Sequence, residues 1–254
     1  LNAVIVDKKK FGLNFNFNVS YNKNKIDELN TENPWQSSNW SGPTISKYED
    51  FRVEQGGRLG ELWGYKMNGY YTVYDPATGT GDLVLNAKGK WELADGVKDK
   101  SKDIFGGTYY PGGPKVQCDE NGNPIKQRLG NTVPTTTGGF GFDGHVGNFD
   151  FNVFFNYSLG NKIVNGTKLA NAFYSGSNKK YNLVDDFTLD KRYTWIDPNN
   201  GLNLGKISTS TITTYGGTEE VMARLNKLNQ GKSIYNPAAV TAMQLTDYAV
   251  EDAS

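Results

Sequence analysis

From Phe11 to Tyr21 every odd position is apolar or aromatic (Phe11, Leu13, Phe15, Phe17, Val19, Tyr21), and every even one is small or polar (Gly12, Asn14, Asn16, Asn18, Ser20). A period of two without exception is an extended strand whose faces meet different media. An average soluble strand runs about 5–6 residues, whereas a tilted strand crossing a bilayer needs about 9–11. This segment is long enough to cross. A strand of a soluble β-sandwich would alternate in the same way, so the period leaves both readings open.

The pattern returns in residues 138–160. Phe140, Phe142 and Val146 alternate on one arm, and Phe149, Phe151, Val153, Phe155, Tyr157 and Leu159 on the other. Gly147-Asn148 between them is the signal of a two-residue hairpin with a primed turn. Asp150, Asn152, Asn156 and Ser158 stand on the opposite face of the second arm.

Between and after these strands run long polar stretches. Residues 22–60 are charged and contain Trp35 and Trp40 in a Pro-, Ser- and Gly-rich loop. Exposed loop aromatics either pack onto a scaffold or stack on a ligand. Residues 61–74 regain an alternation (Trp63, Tyr65, Met67, Tyr71) that reads as one strand, and 75–135 show no clear further element. After Asn161 one short helix is expected, with Thr218 as N-cap, Glu219 and Glu220 in the first turn, and a stripe of Val221, Met222, Leu225 and Leu228 before Gly231.

Composition removes several functions. Lys+Arg and Asp+Glu balance at 27 each, so no overall field points to nucleic acid. No apolar run is long enough for a transmembrane helix, which leaves a transmembrane barrel open. Cys118 is the only cysteine and His145 the only histidine, excluding an internal disulfide and opposing a Cys/His zinc site. Asp119-Glu120-Asn121-Gly122-Asn123 begins like a calcium loop, but Gly122 comes too early and Pro124 intrudes, so a β-turn is the better reading and no metal is expected. No nucleophile or orienting acid surrounds His145, and the adjacent pairs Asp185-Asp186 and Glu219-Glu220 point apart. An enzyme is not expected, and neither is a cofactor.

Short turns at one end of long strands, long loops at the other, and an Asn/Ser/Gly face match an outer-membrane barrel with a watery interior. Tyr21 and Tyr157 would then stand at the outer interface. The sequence also resembles a family, the SusC/RagA-like TonB-linked outer-membrane proteins. The resemblance rests on Phe15 to Ile26 (FNFNVSYNKNKI), Leu62 to Tyr71 (LWGYKMNGYY), Pro134 to Phe140 (PTTTGGF), Phe149-Asp150-Phe151, and Ser158 to Ile163 (SLGNKI), which keep the family's order. The Asp119–Pro124 stretch departs from the family's Asp-x-Asn-Gly-Asp-Gly by losing its second acid and second glycine.

The resemblance implies an all-β fold, in which antiparallel strands form part of a large transmembrane β-barrel with long extracellular loops. Residues 1–254 would be the late portion of that barrel, an internal piece without plug domain or terminal strands. It implies active import of oligosaccharides or peptides across a Bacteroidetes-type outer membrane, with a SusD-like surface lipoprotein and TonB as partners and lipid around the wall. Trp35, Trp40, Tyr109 and Tyr110 are the loop aromatics expected near substrate or lid. The competing reading is a secreted soluble β-sandwich that binds glycans or acts as an adhesin.

Overall fold

The structure, a computed structural model, describes residues 1–30, 35–37 (backbone only), 50–174 and 182–253. Its largest ladder is a four-stranded antiparallel sheet of Asn2–Lys8, Phe11–Tyr21, Thr136–Val146 and Phe149–Leu159, adjacent in that order. Phe11–Tyr21 pairs along its whole length with Thr136–Val146, from Phe11 opposite Val146 to Tyr21 opposite Thr136. Thr136–Val146 pairs just as fully with Phe149–Leu159. The hairpin is the one expected: Gly147 takes φ +63°, the first central position of a primed turn, which a residue with a Cβ resists.

The register puts like with like. Phe17, Phe140 and Phe155 form one row, and Phe15, Phe142 and Val153 the next. Phe140 and Phe155 stack at 5.0 Å, and Phe15 meets Phe142 at 5.1 Å. On the other face Asn14 Nδ2 donates to Asp143 Oδ2 at 2.8 Å. Phe154 is an apolar exception there, as is Val4 opposite Asn14. The Phe154 ring lies over Gly139 and Gly141, where a Cβ would collide with it. Tyr157 does the same on the apolar face, crossing Gly138 to donate its hydroxyl to the Asn18 carbonyl at 3.1 Å.

The apolar face has no cover among the described residues. Phe149 is 81% exposed and Phe155 49%, and no residue of this sheet belongs to a buried cluster. The strand Asn2–Lys8 escapes a reading by alternation because a bulge between Val4 and Val6 shifts its register against Phe11–Tyr21.

Both tight turns lie at one end of this sheet and both long excursions leave from the other, since Tyr21, Thr136 and Leu159 are opposite one another. The excursions are where the core sits. One cluster gathers Leu62, Val116, Leu169 and Leu245 around Phe187 and Tyr235; a second gathers Tyr71, Leu83, Leu204 and Leu225 around Trp91 and Trp195. A second four-stranded sheet runs Lys126–Asn131, Glu61–Tyr65, Phe51–Val53, Trp35–Ser37. The expected single strand over 61–74 is therefore two, Glu61–Tyr65 and Met67–Tyr70. Leu245 to Asp247 separate them: Tyr65 N donates to the Leu245 carbonyl and Met67 N to Asp247 Oδ1. Residues 75–135 also hold short strands at Leu83–Leu85, Trp91–Leu93 and Pro114–Val116, too brief to show a period.

Three α-helices occur among the described residues where one was expected: Gly166–Ala170, Thr209–Tyr215 and Thr218–Leu228. The last has the expected stripe, with Val221, Met222 and Leu225 buried, but Thr218 is its first helical residue and Gly217 precedes it without a side-chain cap. Ser208 caps the helix before it by accepting from Thr211 N.

Asp197 ties this helical pair to the chain before it. Its carboxylate accepts from Arg224 Nε at 2.7 Å, Arg224 Nη2 at 2.6 Å, the Tyr215 hydroxyl at 2.9 Å and Asn199 N at 3.0 Å. The Arg224 hydrogen bonds hold the carboxyl well below its usual range, against the opposing effect of burial. A carboxyl with a lowered folded pKa contributes stability that is full above its ordinary value of about 3.9 and is lost as pH falls from there toward the folded value. Asp197→Asn should speed amide exchange in Thr209–Leu228 roughly tenfold, about 1–2 kcal/mol. The wild-type protection factors, which allow for the intrinsic slowing of exchange in acid, should fall toward those of the variant as the pH is lowered from about 4 toward the folded value.

Candidate functional site

The segment 192–196 runs extended because its backbone is paired on both sides. Tyr193 N donates to the Ile234 carbonyl at 2.9 Å, and the Trp195 carbonyl accepts from Leu204 N at 2.8 Å. This alternation buries Tyr193, Trp195 and Asp197 and turns Arg192, Thr194 and Ile196 outward. The Trp195 indole donates to the Pro111 carbonyl at 2.7 Å, and its ring packs on the α-carbon of Gly205, where a Cβ would enter the ring. Trp91 donates to the Gly205 carbonyl at 3.0 Å, so Gly205 is held by two indoles.

A cavity of about 930 Å³ opens beside this segment, closed below by Phe187, Tyr193 and Trp195 and rimmed by Tyr174 and Ile196. Two of its asparagines spend their oxygens on the backbone. Asn203 Oδ1 accepts from Gly205 N and Lys206 N at 3.1 and 3.0 Å, and Asn236 Oδ1 accepts from Ala238 N at 2.9 Å. Arg192 and Lys206 supply positive charge and Asp185 the negative charge of the lining. The Lys206 ammonium lies over the rings of Tyr110 at 5.0 Å and Trp195 at 5.4 Å. Burial pushes the Tyr193 phenol up, and its hydroxyl has no hydrogen-bond partner among the described residues.

A smaller cavity of about 360 Å³ lies on the other side of this region, between Tyr70, Lys191, Tyr235 and Tyr248. Its acid is engaged: Asp186 accepts from the Tyr248 hydroxyl at 2.8 Å and pairs with Lys168 at 3.5 Å. The Tyr248 hydrogen bond holds the Asp186 carboxyl down.

Of the four aromatics named from the sequence, Trp35 begins the short strand Trp35–Ser37, opposite Val53, and Trp40 lies outside the described residues. Tyr109 is half-buried, donating to the Asp99 carbonyl at 2.9 Å and meeting Tyr71 edge-on at 5.6 Å. Tyr110 packs on Trp195 at 5.3 Å, behind the cavity wall. Reading the sequence alone passes over Arg192, Trp195 and Lys206. The visible signal was the alternation Arg192-Tyr193-Thr194-Trp195-Ile196, too short to stand out from a polar stretch.

The calcium-like stretch is a turn. Asp119 Oδ1 accepts from Asn121 N and Asn123 N at 2.9 and 2.8 Å, Oδ2 accepts from Asn123 Nδ2, and Gly122 takes φ +79°. These bonds hold the Asp119 carboxyl low. His145 lies over Gly12 with Nε2 3.2 Å from the Lys8 carbonyl, on the polar face of the large sheet.

Compared with known proteins, this chain is similar in sequence to one segment of TonB-dependent receptors and in fold to part of the RagAB peptide importer. TonB-dependent receptor P3 of Formosa agariphila is 26% identical over 172 residues, covering 66% of this chain and 15% of the receptor. TonB-dependent receptor P39 of the same organism is 24% identical over 195 residues, 68% of this chain and 18% of the receptor. In fold, 99% of the chain matches 20% of a chain of the RagAB peptide importer, with a TM-score of 0.52 in both its open-open state (14% identity) and its closed-closed state (16%). The chain thus spans less than a fifth of the curated receptors. No protein-family model matches it. These relatives are receptors and importers rather than enzymes, in line with the sequence reading.

Gly205→Ala should cost about 1–3 kcal/mol by driving a methyl into the Trp195 ring. Trp195→Leu in the same background should recover part of that loss. A thermal-unfolding double-mutant cycle on the full-length protein checks the coupling.

Proposed function

We propose that residues 1–254 are a late portion of a TonB-dependent outer-membrane barrel that actively imports oligosaccharides or peptides. The observation that carries this is the uncovered apolar face of Phe11–Tyr21, Thr136–Val146 and Phe149–Leu159 beside excursions that keep cores of their own. A soluble sandwich would press that face against a second sheet; a barrel wall turns it to lipid and its Asn/Ser/Gly face to the lumen. The lumen side is mostly amide and glycine, with Asn16, Asn18, Asn152 and Asn156. Two acids on it, Asp143 and Asp150, stand beside Asn14 and His145, where a water-filled lumen hydrates them.

In this reading the end carrying Lys9-Lys10 and Gly147-Asn148 is periplasmic, and the folded excursions are extracellular. They would meet substrate and a SusD-like surface lipoprotein, and TonB would drive transport from the periplasm of a Bacteroidetes-type cell. The description of the RagAB neighbours as a peptide importer supports the peptide alternative. Trp35, Trp40, Tyr109 and Tyr110 would serve the extracellular side, the two tyrosines by supporting the wall of the Trp195 cavity. Trp35→Ala together with Trp40→Ala should lower uptake or lipoprotein association; unchanged values of both would remove those residues from the site.

The lipid assignment is tested by paired substitutions in the full-length protein. Phe155→Lys should destabilise the folded barrel by about 2–4 kcal/mol if near the bilayer midplane, while Asn16→Lys on the lumen face should be tolerated. Heat-modifiable migration of the barrel in outer-membrane preparations reads both. Equal tolerance of the two would refute the assignment.

A further inference from the structure

The cavity beside Trp195 has a lopsided hydrogen-bonding inventory. Asn203 and Asn236 have committed their oxygens to backbone N–H groups, which leaves their amides as donors. Arg192 is half-buried in the lining, and its guanidinium has no hydrogen-bond or ion-pair partner among the described residues. Several cations packed among the excursions are partnered: Lys115 holds Asp82 at 2.6 Å, Lys168 pairs with Asp186 at 3.5 Å, and Arg224 is bidentate on Asp197. Arg58, away from the cavity, is not, with Nε and Nη2 buried and without a hydrogen-bond partner among the described residues. Lys206 is exposed, and its ammonium rests on the Tyr110–Trp195 pair instead of on a carboxylate. Against these donors the lining sets, among the described residues, one carboxylate, the exposed Asp185.

A half-buried guanidinium without a protein acceptor is left to water, and a planar carboxylate can replace that water with two parallel hydrogen bonds. The floor offers what such a ligand needs next to its charge: Phe187, Tyr193 and Trp195 form an aromatic base, with Tyr174 at the mouth. About 930 Å³ holds an end group and a neighbouring unit, within the roughly 300–1,000 Å³ of small-molecule sites. We infer that this cavity binds a carboxylate-bearing end of the transported oligomer, with Arg192 as its anion anchor and Lys206 as the second positive group. The inference rests on the import reading for its oligomer, but not for the anion site itself.

Two sources present this chemistry, a peptide C-terminus and a uronic-acid sugar. The full-length protein in detergent is titrated with two matched pairs of probes. One pair is a short peptide with a free or an amidated C-terminus; the other is an oligogalacturonate and its methyl ester. The acid of one pair should bind about tenfold or more tightly than its neutral partner, and the pair that discriminates identifies the source. Arg192→Gln should bring that preference to within about twofold, and Arg192→Lys should retain part of it because the charge stays but the fork is lost. Lys206→Gln should weaken the acid about threefold more than it weakens the neutral partner.

Equal binding of acid and neutral probes in both pairs overturns the inference, as does a preference that survives Arg192→Gln and Lys206→Gln together. The import reading fails separately. TonB-independent entry of the preferred probe into cells would leave the anion site standing and remove the transporter. TonB-dependent uptake without preference for acids would do the reverse.

Discussion

The backbone ladder between Phe11–Tyr21 and Thr136–Val146 is the constraint on which the rest of the molecule depends. It closes a loop of more than a hundred residues and places Tyr21 opposite Thr136. Closing so long a loop costs entropy that grows only with the logarithm of its length, and unbroken pairing plus the Phe15–Phe142 contact offsets it. With Phe149–Leu159 added through the Gly147 turn, both ends of the first excursion and the start of the second emerge side by side. Their packing into the adjoining clusters around Leu62 and Leu204 follows from that placement.

The division of hydrophobic surface follows from the same ladder. In a soluble domain the most regular apolar face is buried first, because burial gains about 25 cal/mol per Å². Here the most regular face is open, and the buried residues come from irregular stretches in which Leu, Val, Trp and Tyr are scattered among polar neighbours. Both are consistent if hydrocarbon is the medium outside the sheet and water the medium around the excursions. The glycines at 138, 139 and 141 belong to this arrangement, since Tyr157 and Phe154 lie flat over them and shield the ladder on both faces.

Within the excursions, polar side chains carry much of the specification. Asp197 fastens a helical pair through Arg224 and Tyr215, and Asn203 and Asn236 shape the turns that border the Trp195 cavity. The same asparagine bonds that build the wall decide which half of each amide remains for a ligand. The donor-rich lining is a by-product of these side-chain to backbone bonds.

The long strands were legible in the sequence because alternation over eleven residues has one backbone solution: Phe11–Tyr21 and Phe149–Leu159 have the bounds their pattern implies. The helix Thr218–Leu228 was legible for the same reason at a different period, and the Gly147-Asn148 turn because a primed turn needs positive φ. Asn2–Lys8 was not, since a bulge destroys its alternation, and neither were strands of three residues, which contain no period at all. The site was least legible. Arg192, Trp195, Lys206 and Asn236 meet only because Tyr193 pairs with Ile234 and Trp195 with Leu204, contacts between segments whose local sequence does not encode their partner. Local pattern determined where the chain is extended and which face is greasy; only tertiary structure decided that the core lies in the excursions and which unpaired charge they leave facing a cavity.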